Sequence, residues 1–362
     1  MIRLLVVDDS PLMRRLLGEL FAAEGDFDVA FARNGAEALA ALRDWRPDVI
    51  TLDVRMPEMD GIACLDRIMI EQPTPVVMFS AVTTQGASEA MAALALGAVE
   101  VIPKPSGAVS LKMDEFGPPL VDKVRAAAAA RLPTALRLRD RVRARTRLGG
   151  APRPPAPRAS RPRRPKAAYR SDTGLVVVGS STGGPPALDA VLSVLPADYP
   201  WPIVIAQHMP ATFTGALARR LDGLTELHVQ EVAEPRLVQP GCAYVARGDA
   251  DIIVSLRREG LVALSAPPDP TRRWRPSVDR LVESAMAQLP AERIIGVLLT
   301  GMGNDGAQAM LRLRAAGGTT IAQDEESSVV WGMPGELVRA GGADRVEGLD
   351  SIGQALIEAV AT

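Results

Sequence analysis

The chain has 362 residues, nearly half of them apolar but only 4% aromatic, so its cores are aliphatic, and its length predicts two domains. No apolar run reaches the ~20 residues of a membrane helix, and the first strand is too short and ends too acidic for a signal peptide, so no membrane insertion and a cytoplasmic location are expected. Net charge is −2, and the two cysteines, Cys64 and Cys242, lie far apart with no CxxC partner, which argues against a disulfide framework and thiol chemistry.

Residues 2–105 alternate strand and helix patterns. Ile2–Val7 reads as a buried strand ending in Asp8-Asp9. Ser10 before Pro11 offers a cap and a first-turn proline for a helix to about Glu24. Phe27–Ala32 is a second strand, and Asn34 caps a second, alanine-rich helix. Asp48–Leu52 is the third strand and delivers Asp53; Val76–Phe79 is the fourth and delivers Ser80. Cys64 falls in a helical stretch between them and is expected to pack. Val99–Ile102 is the fifth strand, followed by Pro103-Lys104-Pro105. Five such repeats predict a parallel sheet covered by helices on both faces.

Strand ends at the carboxyl edge of a parallel sheet converge on a ligand crevice. Asp8, Asp9 and Asp53 repel one another there unless a cation intervenes, and hard oxygen ligands suit Mg²⁺. Ser80 adds a hydroxyl and Lys104 a positive charge, so an aspartate in this setting can accept a phosphoryl group. On these five residues the first 105 positions resemble a response-regulator receiver domain, whose fold is flavodoxin-like. The resemblance implies Asp53 as the phosphorylated residue and Asp9 as a direct Mg²⁺ ligand. It implies Asp8 acting through water, the Arg55 carbonyl on the metal, and Ser80 and Lys104 on the phosphoryl oxygens. Val101 stands where many receivers carry an aromatic switch residue.

A last receiver helix is expected from Asp114 to about Arg131, then an Arg/Pro-rich linker over 132–172. Between Lys123 and Arg170 sixteen basic residues face one acid, Asp140. Such a stretch can bind nucleic acid or simply be a solvated connector; with Tyr169 its lone aromatic, the connector reading is favoured.

From Leu175 the alternation resumes, with strands at Leu175–Val178, Ile203–Ala206 and Ile294–Leu299 and an antiparallel excursion over 227–264. The first strand runs into Gly179-Ser180-Ser181-Thr182-Gly183-Gly184, a G-x-S-x-G centred on Ser181, before a helix from about Pro185. Backbone N–H groups at that helix start, Thr182 among them, are candidates for an oxyanion hole. The second strand delivers His208, a candidate base; His228 has the weaker case because it opens the antiparallel excursion. The third leads into Thr300-Gly301-Met302-Gly303-Asn304-Asp305-Gly306, where Asp305 can orient the base and the Met302 N–H can assist the oxyanion. Asp279 is the rival acid, in a helical pattern that favours capping, and capping of the helix near Ala307 is the plainer role for Asp305.

The order Ser, His, Asp differs from the α/β-hydrolase order. Residues 174–360 instead resemble the catalytic domain of chemotaxis protein-glutamate methylesterases. The resemblance is carried by Gly179–Gly184, Gln207-His208-Met209-Pro210, Arg275–Asp279, Thr300–Gly306, Ala322–Glu325 and Gly332-Met333-Pro334. It implies a doubly wound α/β catalytic domain over 173–362 with Ser181, His208 and Asp305 as triad. It also implies hydrolysis of glutamate γ-methyl esters, and deamidation of glutamines, on chemoreceptor cytoplasmic domains. A chemotaxis histidine kinase would phosphorylate the receiver with Mg²⁺ and so relieve its restraint on the esterase, which itself needs no cofactor. No nucleic-acid partner is expected. The alternatives are a DNA-binding response regulator and a regulated hydrolase of a small ester.

Overall fold

The computed structural model describes residues 1–104, 109–132 and 173–361, the backbone alone for 109–115 and 361, and divides into two compact units, Met1–Ala144 and Arg145–Thr362. Apart from Leu132, the expected Arg/Pro-rich linker lies outside the described residues.

In the first unit, strands β1 (Ile2–Val7), β2 (Phe27–Ala32), β3 (Val49–Asp53), β4 (Val76–Ser80) and β5 (Glu100–Pro103) form one sheet in the order β2-β1-β3-β4-β5. Every pairing is parallel. Helices α1 (Pro11–Glu24), α2 (Gly35–Trp45), α3 (Gly61–Glu71), α4 (Thr84–Leu96) and α5 (Val109–Ala128) follow the strands. Ser10 and Asn34 cap α1 and α2 as expected, accepting the N–H of Met13 and Glu37. Central β3 and β4 are buried along their whole length, which matches their largely apolar sequences. Chain order reverses between β1 and β3, so the crevice opens at Asp8, Asp9 and Asp53. Helix α5 begins at Val109 rather than Asp114, because Leu111, Lys112 and Met113 are themselves good helix formers.

In the second unit seven strands order as β15-β14-β13-β6-β7-β10-β8. They are β6 (Leu175–Ser180), β7 (Ile203–Gln207), β8 (His228–Val232), β10 (Cys242–Ala246), β13 (Ile294–Leu298), β14 (Thr319–Gln323) and β15 (Arg345–Glu347), all parallel. Helices α6 (Gly184–Ser193), α7 (Ala211–Leu224), α8 (Val278–Met286), α9 (Ala307–Ala315), α10 (Met333–Arg339) and α11 (Leu349–Ala361) accompany them. A separate antiparallel sheet joins β9 (Arg236–Leu237), β11 (Asp251–Arg257) and β12 (Gly260–Ala266). The antiparallel excursion is thus real but starts later than expected: His228–Val232 pairs parallel to β10. Its side chains do not reveal that direction, for Val229 and Val232 are both buried yet stand three residues apart, on opposite faces of this edge strand.

The order reverses again at β6, flanked by β7 on one side and β13 on the other. Val177, Val204 and Leu298 from these three strands lie in one buried cluster with Val278 and Leu281 of α8. Each such side chain contributes roughly 1.5–3 kcal/mol by burial. The three strand ends are therefore held rigidly at one edge.

Candidate active site

Register pairs Ser180 with Gln207 across β6 and β7, and the His208 N–H donates to the Ser180 carbonyl at 2.9 Å. Ser181 and His208 are therefore the next residues on adjacent strands, whose backbones run about 4.8 Å apart. Gln207 ties both ends together. Its Nε2 donates to the carbonyls of Ser181 (2.9 Å) and His208 (3.1 Å), and its Oε1 accepts from the Ser180 hydroxyl (2.6 Å). The Ser180 hydroxyl is thereby engaged, whereas the Ser181 hydroxyl makes no hydrogen bond among the described residues.

The turn after Ser181 depends on glycine. Gly183 has φ +77°, and a Cβ on it would lie 2.6 Å from Val329 Cβ. The loop after β13 comes equally close, for a Cβ on Gly301 would meet Ser181 Cβ at 2.7 Å. This approach lets the Ser181 N–H donate to the Thr300 carbonyl at 3.0 Å, and Thr300 Oγ1 donate to the Thr182 carbonyl at 3.0 Å. The helix start offers fewer anion donors than expected. The Gly184 N–H is taken by the Ser181 carbonyl, and Pro185 and Pro186 have no N–H to give. Thr182 is buried beside Ser181, and across from it the Met302 N–H has no partner among the described residues.

His208 is 5% exposed. Its Nε2 lies 2.9 Å from Asp305 Oδ2, while Nδ1 is buried without a partner. Asp305 does not cap α9, whose cap is Gly306 with no side-chain bond. It sits instead at the start of α8. Oδ2 also accepts the Val278 N–H (2.6 Å), and Oδ1 accepts the Asp279 N–H and the Ser277 hydroxyl, both at 3.1 Å. Burial opposes the Asp305 charge, but the hydrogen bond and charge of His208 and the N–H groups of Val278 and Asp279 outweigh it and hold the carboxyl below its ordinary value. Asp279 turns its own carboxylate to the Ala309 N–H at 3.0 Å, a packing role for the rival acid, and burial pushes its carboxyl up. His228 stands apart at the sheet edge, largely exposed and paired with Asp222.

The sign of the Asp305 shift sets a pH dependence. A carboxyl lowered in the folded state contributes stability that is complete above its ordinary value near 3.8 and lost as pH falls through the lower folded value. Thermal stability should therefore fall more steeply in the wild type than in Asp305→Asn below about pH 4. Parallel acid limbs in the two proteins would contradict this.

In the first unit, ligand atoms of Asp8, Asp9 and Asp53 lie within 4.8 Å of one another. Lys104 Nζ bridges Asp53 Oδ2 (2.6 Å) and Asp8 Oδ2 (3.0 Å). Burial pushes the Asp53 carboxyl up, Lys104 opposes, Asp8 adds to the rise, and the net is a raised value. Lys104 is itself held protonated: burial lowers it, but Asp53 and Asp8 prevail. The donors are all hard oxygens, and Asp8 Oδ2 has no hydrogen-bond partner beyond its ion pair with Lys104, so the cluster fits Mg²⁺. Two residues face elsewhere. The Ser80 hydroxyl donates to the Gly86 carbonyl (2.8 Å), and the Arg55 guanidinium pairs with Glu89 of α4 (3.2 Å). Val101 is buried, and Cys64 is buried with its thiol pushed up to about 12 by desolvation. Among the described residues no helix is long and apolar enough to cross a membrane.

Sequence reasoning passed over the supports of the site. Gln207 and Ser277 were visible only as parts of longer motifs, and Trp274, whose indole stacks on the His208 ring, was not singled out.

Comparison with known proteins bears on both units. Residues 176–356 match the family model of CheB methylesterase, and residues 4–113 match that of the response regulator receiver domain. A protein-glutamate methylesterase/protein-glutamine glutaminase of Rhodopseudomonas palustris is 52% identical, over 99% of this chain and 98% of its own. One from Rhodospirillum rubrum is 51% identical over 96% of this chain and 93% of its own. The crystal structure of the Thermotoga maritima CheB methylesterase catalytic domain is 40% identical, with a TM-score of 0.50, covering 51% of this chain and 98% of that one.

Proposed function

This chain belongs to the CheB methylesterase family and carries a response regulator receiver domain, and from that premise we propose how its residues perform and control the reaction. It is a phosphorylation-regulated protein-glutamate methylesterase, a carboxylic ester hydrolase; its substrates are glutamate γ-methyl esters, and glutamines, on chemoreceptor cytoplasmic domains. Ser181 Oγ attacks the ester carbonyl while His208 Nδ1 takes its proton. The Nε2–H stays on the Asp305 carboxylate, which steadies the imidazolium. The N–H groups of Thr182 and Met302 receive the oxyanion. His208 then returns the proton to the departing methoxide, methanol leaves, and water hydrolyses the acyl-enzyme with the same base. Deamidation follows the same course with ammonia leaving.

The single observation that supports this most is the Nε2–Asp305 pair, which leaves a buried, unpartnered Nδ1 on the strand next to an unbonded Ser181 hydroxyl.

Control lies in the receiver. A chemotaxis histidine kinase transfers a phosphoryl group from its histidine nitrogen to the Asp53 carboxylate. Asp8, Asp9, Asp53 and the Arg55 carbonyl would hold Mg²⁺, which when bound neutralises charge on the phosphoryl oxygens. Lys104 would pair with those oxygens. Ser80 must leave the Gly86 carbonyl to reach them, so its rotation accompanies phosphorylation.

Methanol release from methylated chemoreceptor membranes tests the whole. Full-length protein should release methanol faster with Mg²⁺ and a small phosphodonor. Asp53→Asn should keep the unstimulated rate and lose the increase, as should chelation of Mg²⁺. An Asp53→Asn protein that still responds to phosphodonor would remove Asp53 from the role. Salt-sensitive DNA binding without methanol release would favour the transcriptional alternative.

A further inference from the structure

We propose that Trp274 is a positioning residue for the hydrolysis: its indole fixes the ring plane of His208 and so the aim of Nδ1. This rests on the reading of His208 as the base. The two rings are stacked, with centroids 5.3 Å apart and planes 2° from parallel. His208 has a single side-chain hydrogen bond, to Asp305. One bond sets the direction of the ring but leaves it free to swing about that bond. A flat neighbour in contact removes this freedom.

The indole is itself braced. It lies between β12 and α8, on a segment fastened at both ends to buried Asp251, which accepts the N–H of Asp269 (3.0 Å) and of Ser277 (2.8 Å). Arg272, its near neighbour, is tied to Asp269 (3.3 Å) and Glu283 (2.6 Å). The indole also abuts the loop that carries Met302 and Asp305. A Cβ on Gly303 would lie 2.5 Å from Trp274 Cζ2, so glycine there leaves room for the ring. Trp274 thus touches both the base and the loop that holds the base's partner. During turnover His208 becomes a cation, and an aromatic face against it is favourable. The Arg273 guanidinium, 5.0 Å from the same indole, keeps the ring in place from its own chain segment.

The experiment measures methanol release by full-length Trp274→Phe and Trp274→Leu, with Ser181→Ala in parallel. Leucine keeps an apolar side chain but no flat face. Its kcat should fall about 10- to 100-fold with KM within about twofold, the loss expected when a reacting group is poorly aimed. Phenylalanine restores a stacking face and should recover kcat to within about threefold of wild type. Should the leucine variant fail to fold, Trp274→Gln, at a partly buried position, takes its place. A wild-type kcat without the ring overturns the proposal. So does a phenylalanine variant as impaired as leucine, or a rise in KM alone. Methanol release that persists in Ser181→Ala would instead overturn the esterase reading on which the proposal rests.

Discussion

Ser181→Ala is expected to lower kcat for methanol release by on the order of 10⁶, while Ser180→Ala stays within about tenfold of wild type. The two serines are neighbours and both are buried, but their hydroxyls differ. That of Ser180 donates to Gln207 Oε1 at 2.6 Å, and its loss costs one hydrogen bond in a bracket that keeps its two main-chain contacts. That of Ser181 has no partner among the described residues and stands one residue beyond the paired strand. Removing it removes the atom that forms the acyl bond, so KM should hardly change while turnover vanishes. Equal losses in both variants would mean that the turn as a whole, not one oxygen, is being read.

The second large effect is expected at Asp305. Asp305→Asn should lower kcat by about 10⁴ through the tautomer of His208. The carboxylate only accepts, which places the Nε2 proton between them and leaves Nδ1 with its lone pair. An asparagine whose oxygen serves the Asp279 N–H and the Ser277 hydroxyl turns its amide toward His208 Nε2, where it also meets the Val278 N–H. Nε2 then accepts, the proton moves to Nδ1, and the base is lost. Asp279→Asn is the control: an amide oxygen can still accept from Ala309 N–H, so its rate should stay within about tenfold of wild type. A larger loss at Asp279 than at Asp305 would reverse their roles.

The sequence made the strand ends legible because buried parallel strands are short, largely apolar runs, followed at once by Ser181 and His208 in two cases and by a glycine-rich loop to Asp305 in the third. Ser181, His208 and Asp305 could be read from that pattern, as could Asp8, Asp9, Asp53 and Lys104. What stayed hidden depends on contacts remote in the chain. Asp305 looks like a local cap for α9, and only the packing of α8 against β13 and α9 turns it to Val278 and Asp279. The pairing direction of β8 was illegible because the sequence of an edge strand is compatible with a neighbour running parallel or antiparallel. Pro185 and Pro186 were plain in the sequence, but their cost in anion donors follows only from where α6 begins.

Burial of the reacting side chains has a consequence for what can be cleaved. Ser181 is 2% exposed and His208 5%. A main-chain carbonyl is fenced by its neighbouring residues, whereas a side-chain carbonyl can approach a buried nucleophile on its own arm. Burial of both reacting side chains therefore favours an ester or amide at the end of a side chain over a peptide bond.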